Sequence, residues 1–229
     1  MKLSVQAVPR ETVREWLLHK HYAKRIPQIT HSFGCFEDKV LQGVVTYGIP
    51  PSPSLCIGVC GEEWKDNVYE LNRLAIIEED ASHNIALRGS QSKNLASYLV
   101  ANSMKLMPKP SIIVSYADTS MGHVGYVYQA TNFIYTGLSA KRNEWREIGK
   151  NTHSKSVVEM YSLEERQSNP DRFEHVERPQ KHRYIYFRGS KKEVKQLKNS
   201  LNYEILPYPK GESKRYLNNK AVSQQQSLF

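Results

Sequence analysis

From residue 111 to residue 138 the chain reads SIIVSYADTSMGHVGYVYQATNFIYTGL. SIIVSYA and FIYTGL are apolar and of strand length, and little room separates them. Between them lie Asp118, two glycines, His123, Tyr126 and Tyr128. This spacing predicts a buried strand, a short helix over GHVGYVYQAT, and a second strand. A carboxylate, an imidazole and several hydroxyls therefore gather at a strand's carboxyl end, where sheets of this kind collect ligands.

The rest of the chain must supply the partners of those strands. KLSVQAV alternates as a strand does. Pro9 opens PRETVREWLLHKH, in which Val13, Trp16, Leu17 and His21 share one helical face. HSFGCFE and KVLQGVVTYGI read as a hairpin turning at Asp38 and Lys39. PPSPS reads as a loop, NVYELNRLAII as a long strand, and SKNLASYLVANSMKLM as a helix ended by PKP. HRYIYFRG is a late strand and KKEVKQLKNSL a basic amphipathic helix. NNKAVSQQQSLF is polar and reads as disordered. The order predicts an α/β fold with a mixed sheet and helices on both faces. The second strand end suited to a ligand is Leu74–Ile77.

Composition narrows the class. No run approaches eighteen apolar residues, so no membrane span is expected, and the first residues lack a signal peptide's apolar core. A cytoplasmic protein is expected. Cys35, Cys56 and Cys60 have no disulfide-framework spacing and read as packing thiols. The net charge is +9, and all of it falls after residue 177. Residues 178–229 hold 12 Lys/Arg and 3 Asp/Glu, whereas residues 1–177 hold 20 of each. Such a block suits a polyanion, most simply nucleic acid. Lys191, Lys192, Lys195 and Lys198 are its candidate phosphate contacts, which give affinity without reading sequence.

The element order is similar to that of the GNAT acyltransferases. In VYQATNF, Tyr128 stands five residues before Phe133, as does the tyrosine many of them use as a general acid near a leaving thiolate. ELNRLAI looks like the strand before their acyl-CoA loop. In place of their glycine-patterned pyrophosphate loop this chain has ALRGSQSKNLAS, in which Arg88, Ser90, Ser92 and Lys93 are candidate anion ligands. A narrower resemblance spans most of the chain. HYAKRIP, ELNRLAI, SYAD, GHVGYVYQATNF and YTG together resemble the Mom family of bacteriophage DNA-modification proteins.

That resemblance implies a GNAT-like, mostly antiparallel mixed sheet flanked by helices. It implies conversion of adenine in double-stranded DNA to N6-carbamoylmethyladenine, which protects phage DNA from restriction. It implies a small-molecule two-carbon donor, acetyl-CoA among the candidates, and a possible dependence on iron. His21, Tyr22 and Asp118 then fall on positions implicated in activity, with Tyr22 and Asp118 as iron ligands and Ser115, Tyr116 and Tyr128 as neighbours. Residues 1–177 would form the catalytic core. Residues 178–229 would form a basic extension whose strand and helix complete the domain.

The chemistry fits these residue types. Adenine N6 is a weak nucleophile, so the base must leave the stack, lose a proton and meet a held electrophile. Asp118 is placed to take the proton, Tyr128 to serve the leaving group, and Tyr116, Tyr22 or His123 to contact the extruded base. Each has a structural alternative: Asp118 as a helix cap, Tyr128 as core, His21 as a helix-end residue, His123 as a loop contact. Two other functions remain open, an acyl-CoA-dependent N-acetyltransferase acting on an amine and a non-catalytic DNA-binding protein. A homodimer is also left open.

Overall fold

The computed structural model describes residues 2–21, 25–77, 94–150, 152 and 154–211. Nine strands and seven helices alternate along them. They are β1 (Leu3–Ala7), α1 (Arg10–His19), β2 (His31–Glu37), β3 (Val40–Gly48), α2 (Pro53–Cys60), β4 (Val68–Ile76), α3 (Leu95–Met104) and β5 (Ser111–Asp118). Then follow α4 (Tyr126–Ala130), β6 (Ile134–Leu138), β7 (Arg142–Glu147), α5 (Ser154–Met160), α6 (Leu163–Ser168), β8 (Phe173–Arg178), β9 (Lys181–Arg188) and α7 (Lys191–Asn199). No described helix is long and apolar enough to cross a membrane.

Seven strands form the main sheet in the order β1-β2-β3-β4-β5-β9-β6. Every pairing is antiparallel except β4 with β5, which α3 links as a crossover. The mixed sheet expected from the element order, mostly antiparallel as the resemblance implies, is thus what forms. Asp38 and Lys39 turn the β2–β3 hairpin with φ of 45° and 74°, the left-handed pair that a two-residue hairpin turn requires.

The β4–β5 pairing is short. It covers Val68↔Ile112, Tyr69↔Ile113 and Glu70↔Val114 only. Past that point β4 follows β3 as far as Ile76, while β5 follows β9 as far as Asp118↔Lys181. A bulge between Thr46 and Tyr47 of β3 accompanies the parting. The two strands diverge into a wedge near the middle of the sheet. Both strand ends expected to hold a ligand border this one wedge.

Side-chain alternation sorts the wedge walls onto two faces. Ile113 and Ala117 pack with Leu95, Leu99 and Phe133 beneath α3 and α4. Ile112 and Val114 pack with Val59, Ile185 and Leu197 beneath α2 and α7. α1 covers the other end of that second face through Val13, Trp16 and Leu17. The helical face predicted for residues 13–21 is buried as expected, His21 included.

Two features depart from expectation. PPSPS is not all loop, because Pro53 starts α2 at the position where a missing N–H costs nothing. Residues 139–180, for which no element was expected, form a two-stranded sheet of β7 and β8 with α5 and α6. This unit is inserted between β6 and β9, so β9 returns to pair between β5 and β6. The division expected at 177/178 falls inside β8. The polar tail from residue 218 lies outside the described residues.

After α7 the chain crosses from the α2–α7 face to the α4 face. Asn202 N donates to Val59 O at 2.9 Å, and Leu206 N to Tyr135 O at 3.0 Å. Tyr208 Oη donates to Phe133 O at 2.6 Å, and Gln129 Nε2 to Pro209 O at 3.2 Å. This strap clamps α4 against the sheet. α4 follows Gly125, which has φ of 79° and lies against the fully buried Tyr184 ring. A Cβ there would sit 2.5 Å from Tyr184 Cε2. Gly125→Ala is therefore expected to cost about 3 kcal/mol and lower Tm by roughly 6–10 °C. Gly122→Ala, with φ of 67° and open space around it, should cost only about 1 kcal/mol. Thermal unfolding of both variants checks the pair.

Candidate active site

On the α2–α7 face the wedge is lined by charge. Asp118 ends β5 and Lys181 begins β9, and their register pairing brings Lys181 Nζ to 2.7 Å from Asp118 Oδ2. The other oxygen, Oδ1, accepts from Ser120 N at 3.0 Å and Ser120 Oγ at 2.6 Å. Asp118 therefore caps the 3-10 turn Thr119–Met121 while also forming an ion pair. Burial pushes its pKa up, but the Lys181 and Ser120 hydrogen bonds outweigh burial and hold it below the usual carboxylate value.

Glu70, on β4, is the opposite case. Burial raises its pKa, and the charges of Arg73 and Lys181 offset only part of the rise. Two carboxylates thus flank the wedge with pKa values pushed in opposite directions, and Lys181 acts on both. Tyr116 lies between them in sequence position, half-buried. Its pKa is pushed up to about 12, first by burial and then by the charge of Glu70. Arg183, paired with Tyr116 across β5 and β9, stacks its guanidinium 3.5 Å from the ring centre of Tyr203 in the strap.

Hydroxyls line the α3–α4 face. Tyr47 is fully buried, lies 2.6 Å from Ser103 Oγ, and has its pKa raised by burial. Tyr128 packs its ring 5.3 Å from both Phe133 and Tyr184, and its hydroxyl is near enough to act electrostatically on Tyr47. Ser115 is fully buried, and its Oγ donates to Leu71 O at 3.0 Å. That bond bridges the two strands where their ladder ends.

The expected residues therefore divide. Asp118, Tyr116 and Lys181 share one face. Tyr128 and Ser115 belong to the other, so Asp118 and Tyr128 meet only through the wedge. His123 follows the Asp118 turn, its N–H donating to Asp118 O at 3.1 Å. His21 closes the β4 side and is 7% exposed. Its pKa is lowered to about 4 by burial and then by the charge of Arg73. Lys191, Lys192, Lys195 and Lys198 are exposed along α7, away from the wedge. Tyr22, Arg88, Ser90, Ser92 and Lys93 lie outside the described residues.

An iron site was expected at Tyr22 and Asp118. Among the described residues no three His, Cys, Asp or Glu side chains come together, and both Asp118 oxygens are engaged by Lys181 and Ser120. Asp118, so engaged, presents no open oxygen to a metal, and Tyr22 lies outside the described residues. Glu70, Arg73 and Lys181 were missed as site residues. ELNRLAI carries Glu70 and Arg73, but within one strand nothing tells a buried charge from a solvated one, and Lys181 lies far off at the start of β9.

The pH dependence of stability follows from His21. In the unfolded chain histidine gains a proton below about 6.5. In the fold His21 stays neutral until about 4. Stability is thus complete above about 6.5 and falls as pH drops towards about 4, by up to about 3 kcal/mol from this residue. His21→Gln should remove most of that slope and leave the smaller share due to His31 and His182, both lowered by burial. Denaturant unfolding at stepped pH checks it.

A model of the Mom protein family matches residues 2–210. The methylcarbamoylase Mom of Escherichia phage Mu is 29% identical over 212 residues, covering 87% of this chain and 83% of that protein. Among solved structures, an IAA acetyltransferase from Bacillus cereus is similar with a TM-score of 0.44 and 11% identity, over 82% of this chain and 100% of that one. A spermidine/spermine N-acetyltransferase from Vibrio cholerae gives 0.44 and 12%, over 87% and 99%. The family match takes in every strand of both sheets and both faces of the wedge, and the chain belongs to the Mom protein family.

Proposed function

We propose that this chain transfers a carbamoylmethyl unit to N6 of adenine in double-stranded DNA, and that the product shields the DNA from restriction enzymes. Membership of a family whose phage Mu relative is named a methylcarbamoylase supports a transferase. The observation that carries the reading is the pair of unlike carboxylates at the wedge. Glu70 has a raised pKa, and Asp118 has a lowered one held by Lys181.

In this reading the extruded adenine enters from the α2–α7 face. Asp118 stays ionised and accepts a hydrogen bond from the exocyclic amine, which orients it. Glu70 takes the proton, since a carboxylate tuned towards neutrality is the better acceptor. Tyr116 lies beside the base. The N6–H bond breaks towards Glu70 as a bond forms from N6 to carbon of the donor. The bond from that carbon to the leaving group breaks with its electron pair, and the Tyr128 hydroxyl supplies a proton to it from the α3–α4 face. The small-molecule donor, which must carry the carboxamide already and a leaving group on its methylene carbon, reaches the wedge from that side. The wedge joins the two faces, so neither reactant displaces the other.

Nucleoside mass spectrometry of plasmid DNA from cells making the protein tests this. The expected product is deoxyadenosine heavier by one carbamoylmethyl group. Glu70→Gln should lower its yield by on the order of 10² or more while Tm stays close to the parent value. Unmodified DNA from folded parent protein would overturn the reading. Full activity in Glu70→Gln would remove Glu70 as proton acceptor.

A further inference from the structure

The inserted unit stands beside the carboxyl end of β5 and leaves a cleft of about 450 Å³ between itself and the main sheet. Four cations face it, Arg146, Lys150, Arg178 and Lys181, against the carboxylates of Asp118 and Glu144. Glu144 is the centre of this arrangement. Arg146 Nε and Nη2 donate to its Oε1 at 2.9 and 2.8 Å, and Arg178 Nε lies 3.7 Å from its Oε2. Glu144 is 18% exposed, whereas Arg146 and Arg178 are 45% and 47% exposed. One covered carboxylate thus holds two half-exposed guanidiniums together, with N–H groups left over on each.

Two guanidiniums at one point repel unless an anion lies between them, and Glu144 supplies only one. A phosphodiester matches the remaining forks, because guanidinium binds phosphate in two parallel hydrogen bonds. Lys150, drawn to Glu147 at 2.8 Å, adds a third cation at the rim. The cleft adjoins Asp118, so it lies on the side from which the base enters rather than on Tyr128's side. The α7 lysines share that face of the main sheet.

We propose that this cleft seats a backbone phosphodiester next to the target adenine, gripped by Arg146 and Arg178 with Glu144 as their internal counter-ion. The proposal rests on the DNA reading above and adds where the strand is held. It also gives the inserted unit a purpose. A phosphate fixed beside Asp118 limits how far the flipped nucleotide swings, and so places its N6.

The test is equilibrium binding of a fluorescein-labelled duplex, and separately of CoA, across a salt series with the full chain. The double variant Arg146→Ala/Arg178→Ala should bind duplex on the order of 10-fold more weakly, with the log Kd against log[salt] slope reduced by about 1. Its affinity for CoA should not change. Glu144→Gln should bind duplex about threefold or more tightly, because two guanidiniums are released to the phosphate. A purely structural ion pair predicts the opposite, lower Tm and no gain in affinity. The proposal falls if the folded double variant keeps parental duplex affinity and slope, or if Glu144→Gln brings no gain. It falls equally if CoA binding is lost while duplex binding stays, since the seat then serves the donor. If the parent protein shows no salt-dependent duplex binding at all, it is the DNA reading that fails.

Discussion

A sheet can admit a ligand at its centre only where two neighbouring strands stop pairing, and here that happens after three residue pairs of β4 and β5. The rest of the architecture answers to that interruption. The carbonyls and amides exposed by it need new partners. β3 and β9 pair the outer edges of the two strands, and across the gap Ser115 Oγ donates to Leu71 O. α3 and α4 pack against the parted strands from one side, and α2 and α7 from the other. The site is thus a product of strand pairing before it is a product of side-chain chemistry.

Within the opening, a single lysine organises two carboxylates. Lys181 holds Asp118 by direct contact and acts on Glu70 only through its charge. Direct contact wins against burial at Asp118, and burial wins at Glu70. The same chemical group therefore has its pKa lowered at one position and raised at another. Arg73 extends the arrangement to the β4 side, where it helps to keep His21 neutral. Electrostatics thus couples α1, β4, β5 and β9, which are far apart in sequence.

Much of this was legible in the sequence, for physical reasons that differ by element. α1 and the main strands announce themselves because each buries one regular stripe or one long apolar run. The Asp38–Lys39 turn is readable because only two residues separate its strands. β7 and β8 are not readable: RNEWRE and FEHVER place charges on both faces, since their sheet is largely exposed and offers no alternation. Asp118 could be read as site or as cap, and it is a cap that also pairs with Lys181. The separation of Asp118 and Tyr128 onto two faces was invisible, because it depends on strand parity and on where α4 packs. Glu70 was hidden by its strand, where a lone carboxylate reads as one solvated residue until the partner strands are known.

The route of the chain after β6 has a consequence for biosynthesis. β6 cannot join the sheet directly, since its neighbour β9 is made more than forty residues later, after the whole inserted unit. α4, and with it Tyr128, is held by Tyr184 of β9 and by the strap beyond α7. A nascent chain on the ribosome therefore carries the wedge half-built until β9 and the strap emerge, because contacts so distant in sequence form late. Chains that stop before β9 would have most of the apolar core and an unpartnered β6, yet no completed wedge. The wedge is thus completed only once β9 and the strap have been made.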